Sequence, residues 1–396
     1  MQFSQRTDWP LRHNRLTELL ELRQSEGLPV LDLTLSNPTS CGLAASGSEI
    51  RDALSDPEIL LYAPDPRGRI AAREAVCAYY RGKSVHLDPA HLFLTASTSE
   101  AYGYALNLLC DPGDSVLAPT PSYPLFEYLA QMHGVVLGQY RLQYDQGWRV
   151  DIGSVERAIT EATRAIILIH PHNPTGAFLR NEEYRMISRI ASDRGLALIV
   201  DEVFSEYGFS QGGDRFLTAA GDDRQLTLTL NGLSKLAGLP QMKLGWMIVS
   251  GPEDLRRTAC ERLETISDTY LSVNTPAQVA LPKILAGHAS ITGEILRRVA
   301  GNYRLLRSLC TQGSHCTALD AEGGWYGILR LPKIQSDEEW ALKLLEKRGI
   351  LLFPGYFFDM EGCYLAVSLL AEPGIFQEGV RGVLEFVGES ISPSLR

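Results

Sequence analysis

Short, nearly continuous apolar runs recur along the chain. Between them lie longer stretches whose apolar residues fall three and four positions apart. The short runs predict strands at 31–35, 91–96 (HLFLTA), 115–119, 135–142, 165–170 (AIILIH), 196–200 (LALIV), 226–230 (LTLTL) and 244–249, with two more at 325–331 and 364–369. The stretches of helical period predict helices at 11–26, 66–80, 97–109, 123–133, 181–194, 252–270, 275–285, 291–311 and 337–348, and a last one ending near Val387. Strand and helix alternate through most of the chain, and the strands are too apolar to face water on either side. That combination predicts an α/β domain whose mostly parallel sheet is buried between helices.

The stretch 226–251, LTLTLNGLSKLAGLPQMKLGWMIVSG, departs from the alternation. Its two apolar runs are joined by a link too short for a crossover helix, so the second strand should return antiparallel. Lys235 and Lys243 then lie at one rim of the sheet, where two lysines can equally be solvated surface. The large domain is expected at 47–287. Residues 1–46 and 288–396 should together form a smaller α+β domain.

Composition narrows the function. Across 396 residues, 45% are hydrophobic and 21% charged, as in an ordinary globular protein, and a net charge of −10 disfavours nucleic acid or an anionic membrane as partner. The N-terminus lacks the apolar core of a signal peptide, and no run approaches the ~18 apolar residues of a membrane span. The seven cysteines are scattered without a CxxC pair, which suits reduced thiols in the cytoplasm. His170 and His172 have no Cys or carboxylate at metal-ligand spacing, so no metal is expected.

Ligands of open α/β sheets bind beyond the carboxyl ends of the strands. HLFLTA is followed by Ser97-Thr98-Ser99-Glu100 opening a helix, and AIILI by His170-Pro171-His172-Asn173-Pro174-Thr175-Gly176. LALIV is followed by Asp201-Glu202, and LTLTL by Asn231-Gly232-Leu233-Ser234-Lys235. Each has a plain structural reading, as an N-cap, a turn or a helix-start acid. Four such groups on one rim point instead to a site.

Taken with YAPDPRGRIAARE (62–74), Pro112-Gly113-Asp114, Pro121-Ser122-Tyr123-Pro124 and Gly323-Gly324-Trp325-Tyr326, this order resembles the class I/II aminotransferase family, the fold type I enzymes that use pyridoxal 5′-phosphate. The resemblance runs from about Leu31 to Ser368. It implies a mostly parallel seven-stranded sheet in the large domain, with Lys235 forming the Schiff base to the cofactor. It further implies Asp201 paired with the pyridine nitrogen, Asn173 on the ring hydroxyl and Tyr123 stacked on the ring. Ser97, Thr98 and Ser99 would hold the phosphate at a helix N-terminus, with Ser234 and Lys243 as further contacts. Tyr62 would reach the site of a second subunit, implying a homodimer. The implied reaction moves an amino group between an amino acid and a 2-oxo acid in two half-reactions.

Four positions depart from the family pattern. Lys243 stands where an Arg is usual and loses the bidentate fork. Phe204 replaces a Tyr, Gly232 replaces a phosphate-binding Ser, and Ala366 occupies the place of the Arg that clamps the substrate carboxylate. Ser36, Asn37 and Arg330 are candidates for that lost contact, as are Arg67 and Arg69. Because Ala366 frees the substrate's orientation, a lyase, a racemase or a specialised biosynthetic enzyme of the same fold is the alternative. A regulator that has lost turnover would need a DNA-binding segment, which the sequence lacks.

Overall fold

Apolar runs buried on both faces belong in the middle layer of a structure, and the chain places them there. The computed structural model describes residues 1–9, 14–43, 47–210, 212–311 and 314–391. Strands β1 (Leu92–Thr95), β2 (Ser115–Thr120), β3 (Val136–Tyr144), β4 (Trp148–Val150), β5 (Thr163–Ile169), β6 (Ala197–Asp201), β7 (Thr227–Gly232) and β8 (Gly245–Ser250) form one sheet in the order β1-β8-β7-β6-β5-β2-β3-β4. The run β7-β6-β5-β2-β3 is parallel. As the short link required, β8 returns antiparallel between β7 and β1.

Side chains of one strand alternate between the two faces. Ile167 and Ile199 pack with Tyr102, Phe126 and Leu263, from the helices α1 (Thr98–Leu109), α2 (Leu125–Met132) and α4 (Glu253–Tyr270). Leu168, Leu198 and Val200 pack on the other face with Tyr184 and Ile187 of α3 (Asn181–Arg194).

The sheet has eight strands, where seven were expected. The extra strand, β4, is a three-residue hairpin partner of β3, turned through Gln146 and Gly147 at positive φ. Three residues carry no periodic signal. The two helices expected at 275–285 and 291–311 are one helix, α5 (Thr275–Leu309). Ala286-Gly287-His288-Ala289-Ser290 reads as a break, yet Ile284, Ile291 and Ile295 hold one apolar face through it, all buried. Position 287 lies inside this helix. The expected helix at 66–80 begins only at Ile70, because Gly68 (φ +89°) closes a turn onto Asp65 O at 2.8 Å. The first helix runs Arg15–Ser25 from its Asn14 cap, and residues 11–13 of the expectation lie outside the described residues.

A second, antiparallel sheet follows: β9 (Thr317–Ala318), β10 (Tyr326–Arg330), β11 (Phe353–Pro354) and β12 (Tyr364–Ser368), in the order β9-β10-β12-β11. The chain start joins this part. Leu31–Asp32, shorter than the expected 31–35, pairs with Ile350–Leu351, and Ser368 N–H donates to Leu33 O at 2.7 Å.

Main-chain hydrogen bonds stitch the two sheets together beside the rim, supplemented by the Glu322 carboxylate, which accepts from Phe178 N–H and pairs with Arg180. Glu322 N–H donates to Gly176 O (3.1 Å), Gly324 N–H to Tyr207 O (2.9 Å) and Phe209 N–H to Glu322 O (2.8 Å). A Cβ on Gly176 would stand 2.3 Å from Gly323 O, and one on Gly323 would stand 2.3 Å from Tyr207 O. Gly176→Ala and Gly323→Ala are each expected to cost about 1–3 kcal/mol in urea unfolding, as backbone must shift. Gly293→Ala, in open space on α5, is expected to stabilise by about 0.5–1 kcal/mol. Equal effects at the three positions would contradict the seam.

Candidate active site

Parallel strands bring their carboxyl ends to one rim, and there a cavity of about 310 Å³ opens. Its wall includes Ser36, Ser97, Thr98, Ser99, Tyr123, Asn173, Asp201, Ser234 and Lys235. Residues up to 199 positions apart in sequence thus meet because each follows, or closely follows, a strand end or a turn at that rim.

Asp201 ends β6 and is 8% exposed. Its Oδ1 accepts from Val203 N–H at 3.1 Å, and its Oδ2 accepts from the Tyr102 hydroxyl at 3.1 Å. Burial pushes its pKa up to about 6, while those two donors and the Lys235 ammonium restrain the rise. Burial acts oppositely on Lys235, bringing it down to about 8 against the pull of Asp201. The Lys235 Nζ lies 4.8 Å from the Trp325 ring centroid and 5.6 Å from that of Phe204. An amine at about 8 is partly neutral, hence nucleophilic, close to physiological pH.

At another wall, α1 opens. Ser97 is its N-cap, accepting from Glu100 N–H at 3.1 Å, and Glu100 answers by accepting from Ala96 N–H at 2.6 Å. Thr98 and Ser99 are the first helical residues, whose N–H groups have no partner within the helix. They line the cavity, so the helix presents free donors and its positive dipole end to whatever occupies it. The Asn173 side chain also lines the cavity, with its buried Oδ1 unpartnered. Its neighbours are structural: His170 Nδ1 accepts from Leu179 N–H (3.1 Å), and His172 Nδ1 meets Thr175 Oγ1 (2.9 Å).

The structure leaves other candidates outside the cavity wall. Lys243 is exposed, in left-handed conformation (φ +51°) just before β8. Tyr62 is 78% exposed and borders a separate hollow with Gly68, Leu271 and Gln278. Asn37 spends its Oδ1 capping Thr39. Arg330 is exposed and stands four residues beyond Tyr326, ~13 Å along the same strand from the wall. Arg67 is paired with Glu264 at 2.7 Å and Arg69 with Glu58.

Three of the four departures acquire a physical setting. Gly232 faces Gly245 across the β7–β8 ladder, where a Cβ would lie 2.9 Å from Gly245 Cα, so no serine fits without backbone movement. Phe204 does line the cavity, and the Tyr207 hydroxyl is engaged elsewhere, donating to Lys235 O at 2.5 Å. Ala366 is fully buried opposite Ile328 and Phe353 and packs in an apolar cluster with Phe358 and Met360. Sequence reasoning gave no role to Tyr102, Phe126, Trp325 or Tyr326, all of which line the cavity. Tyr102 follows Thr98 by one helical turn, and that i, i+4 spacing was the available signal.

Comparison with known proteins converges on one group. A glutamate-pyruvate aminotransferase (AlaA) of Haemophilus influenzae is 30% identical over 350 residues, covering 86% of each chain. An alanine aminotransferase of Mycobacterium bovis is 30% identical over 85% of this chain and 80% of its own. The solved structure of an alanine aminotransferase from Pyrococcus furiosus superposes with a TM-score of 0.89 at 23% identity, over 98% of this chain and 100% of that one, and so shares the fold. The family model for aminotransferase class I and II matches residues 31–369. The chain belongs to the class I and II aminotransferases, enzymes that depend on pyridoxal 5′-phosphate.

Proposed function

We propose that this aminotransferase moves an amino group from an amino acid to a 2-oxo acid in a two-step, ping-pong cycle, with Lys235 as both the cofactor's anchor and the proton carrier. The observation that carries the reading is the Lys235 amine, lowered to about 8 and sharing one cavity with a buried carboxylate, Asp201. The cavity's groups suit the cofactor: helix N–H groups at Thr98 and Ser99 for a phosphate, the unpartnered Asn173 amide for a ring hydroxyl, and aromatic walls for a ring. Pyridoxal phosphate, when bound, supplies an electron sink for the bonds at the substrate's α-carbon. Asp201 would hold a negative charge against the ring nitrogen of that group, and Tyr123 would cover a ring face. Lys235 Nζ would then be placed to take the α-proton and later to return a proton.

Names of the relatives make alanine, glutamate and pyruvate the first compounds to test. For the substrate's carboxylate we propose contacts other than the usual guanidinium, since Ala366 is packed in apolar core. Hydroxyls of Ser36 and Tyr326 converge at the wall near Tyr123 and offer neutral donors. A lyase-type outcome remains the second reading, favoured by the same Ala366; product without a matching oxo acid would select it.

A homodimer is part of the proposal. Leu60, Leu61, Tyr62, Ile70 and Leu271 are large apolar side chains exposed by 50–85%, and Tyr62 and Leu271 border the same hollow. Such a patch favours contact with a second copy. Seven free cysteines suit the reducing cytoplasm, where we place the enzyme. No described helix is long and apolar enough to cross a membrane.

Three tests follow. Amino donor alone should convert the enzyme's visible cofactor absorbance to that of the pyridoxamine form; no conversion with any amino acid would refute transamination. Lys235→Ala should lose borohydride-stable attachment of cofactor and about 10²–10⁴-fold or more of kcat. In cofactor-free protein, a lysine lowered to about 8 from the ~10.4 of an unfolded chain destabilises the fold wherever it is charged. Wild-type stability should therefore rise relative to Lys235→Met between pH 8 and 10 in thermal melts. Finally, light scattering should give a dimer mass, and Tyr62→Asp with Leu271→Asp should weaken it; a monomeric wild type would remove that part of the proposal.

A further inference from the structure

Asp201 receives a hydrogen bond from a side chain that the reaction scheme leaves without a task. Tyr102 stands on α1, is 3% exposed and lines the cavity, and its ring meets Phe126 edge-on at 5.1 Å. Its hydroxyl reaches Asp201 Oδ2 at 3.1 Å while Val203 N–H holds Oδ1 at the same distance. We propose that Tyr102 is a positioning residue for Asp201, fixing the carboxylate's rotation and favouring its ionised form, and that α1 thereby organises both ends of the cofactor site. The inference rests on the reading of Asp201 as the partner of the ring nitrogen.

The helix geometry supports this double duty. Thr98 and Tyr102 are one turn apart on the same face, ~6 Å along the axis. The N–H groups of the first turn are placed to meet an anion at one end of the cavity, and the hydroxyl one turn later meets the carboxylate. A carboxylate accepts about four hydrogen bonds, so two protein donors still leave lone pairs for a ring N–H. Asp201 faces Lys235 from the β7–β8 connection and Tyr102 from α1. Glu202 follows it with a side chain on the opposite side of the strand, bound to the Thr218 hydroxyl and Ala219 N–H, and Tyr140 of β3 lies by Tyr102. Of these, Lys235 and Tyr102 favour the charged form of Asp201. Tyr102 itself stays a donor throughout the working range, because burial and the neighbouring carboxylate hold its own pKa well above the ordinary value.

Tyr102→Phe removes only the hydroxyl. With 13C-labelled aspartate, the Asp201 carboxyl resonance, identified by its loss in Asp201→Asn, should titrate near 6 in cofactor-free wild type and about one unit higher in Tyr102→Phe. In the loaded enzyme, kcat should fall about 10–100-fold, the scale of one hydrogen bond to a charged group, with KM for the amino donor within about threefold. A purely structural role would lower Tm without moving the carboxyl titration. An unchanged midpoint overturns the proposal, as does full kcat in Tyr102→Phe when Asp201→Asn is inactive. If Asp201→Asn is itself fully active, the reading of Asp201 fails and the proposal falls with it.

Discussion

A buried carboxylate and a part-buried amine share one cavity, and each restrains the shift that desolvation imposes on the other. Asp201 would climb further above its ordinary range without Lys235, and Lys235 would fall further without Asp201. Neither arrangement favours the stability of the folded chain, because both groups lose hydration on entering the cavity. The sheet tolerates them because its parallel strands, buried on both faces, supply the apolar area that offsets the loss. The same topology that hides the strands delivers their polar ends to one place.

Much of this was legible in the sequence. The strand ends could be read as the rim because a parallel sheet leaves no other place for Ser97, Asn173, Asp201 and Lys235, and those residues do line one cavity. The antiparallel return of β8 followed from a link too short to cross over. What failed needed information from beyond the local segment. Gly287 and His288 look like a helix end until the apolar face of α5 is seen packed on both sides of them. Trp148–Val150 is a strand only because β3 lies beside it. Arg330 had the right charge, but it stands four residues, ~13 Å, along β10 from the wall that Tyr326 occupies.

Departures from the family pattern are less arbitrary in three dimensions. Gly232 approaches Gly245 so closely that a side chain on it would collide with the backbone of the neighbouring strand. Phe204 keeps the aromatic wall while giving up a hydroxyl, and Ala366 gives its space to the phenylalanines of the second sheet. At each of these positions the neighbouring packing accommodates the small or apolar residue that stands there.

The seam of main-chain bonds among Gly176, Tyr207, Glu322 and Gly324 has a bearing on how such a cavity can diversify. It fixes the separation between the turn that carries Asn173 and the segment that carries Trp325 through backbone atoms, whose spacing a side-chain replacement alters only by forcing the backbone apart. New specificity in this scaffold is therefore most easily written in the side chains that project into the cavity, such as Ser36, Tyr123 and Tyr326, rather than in the backbone that spaces them.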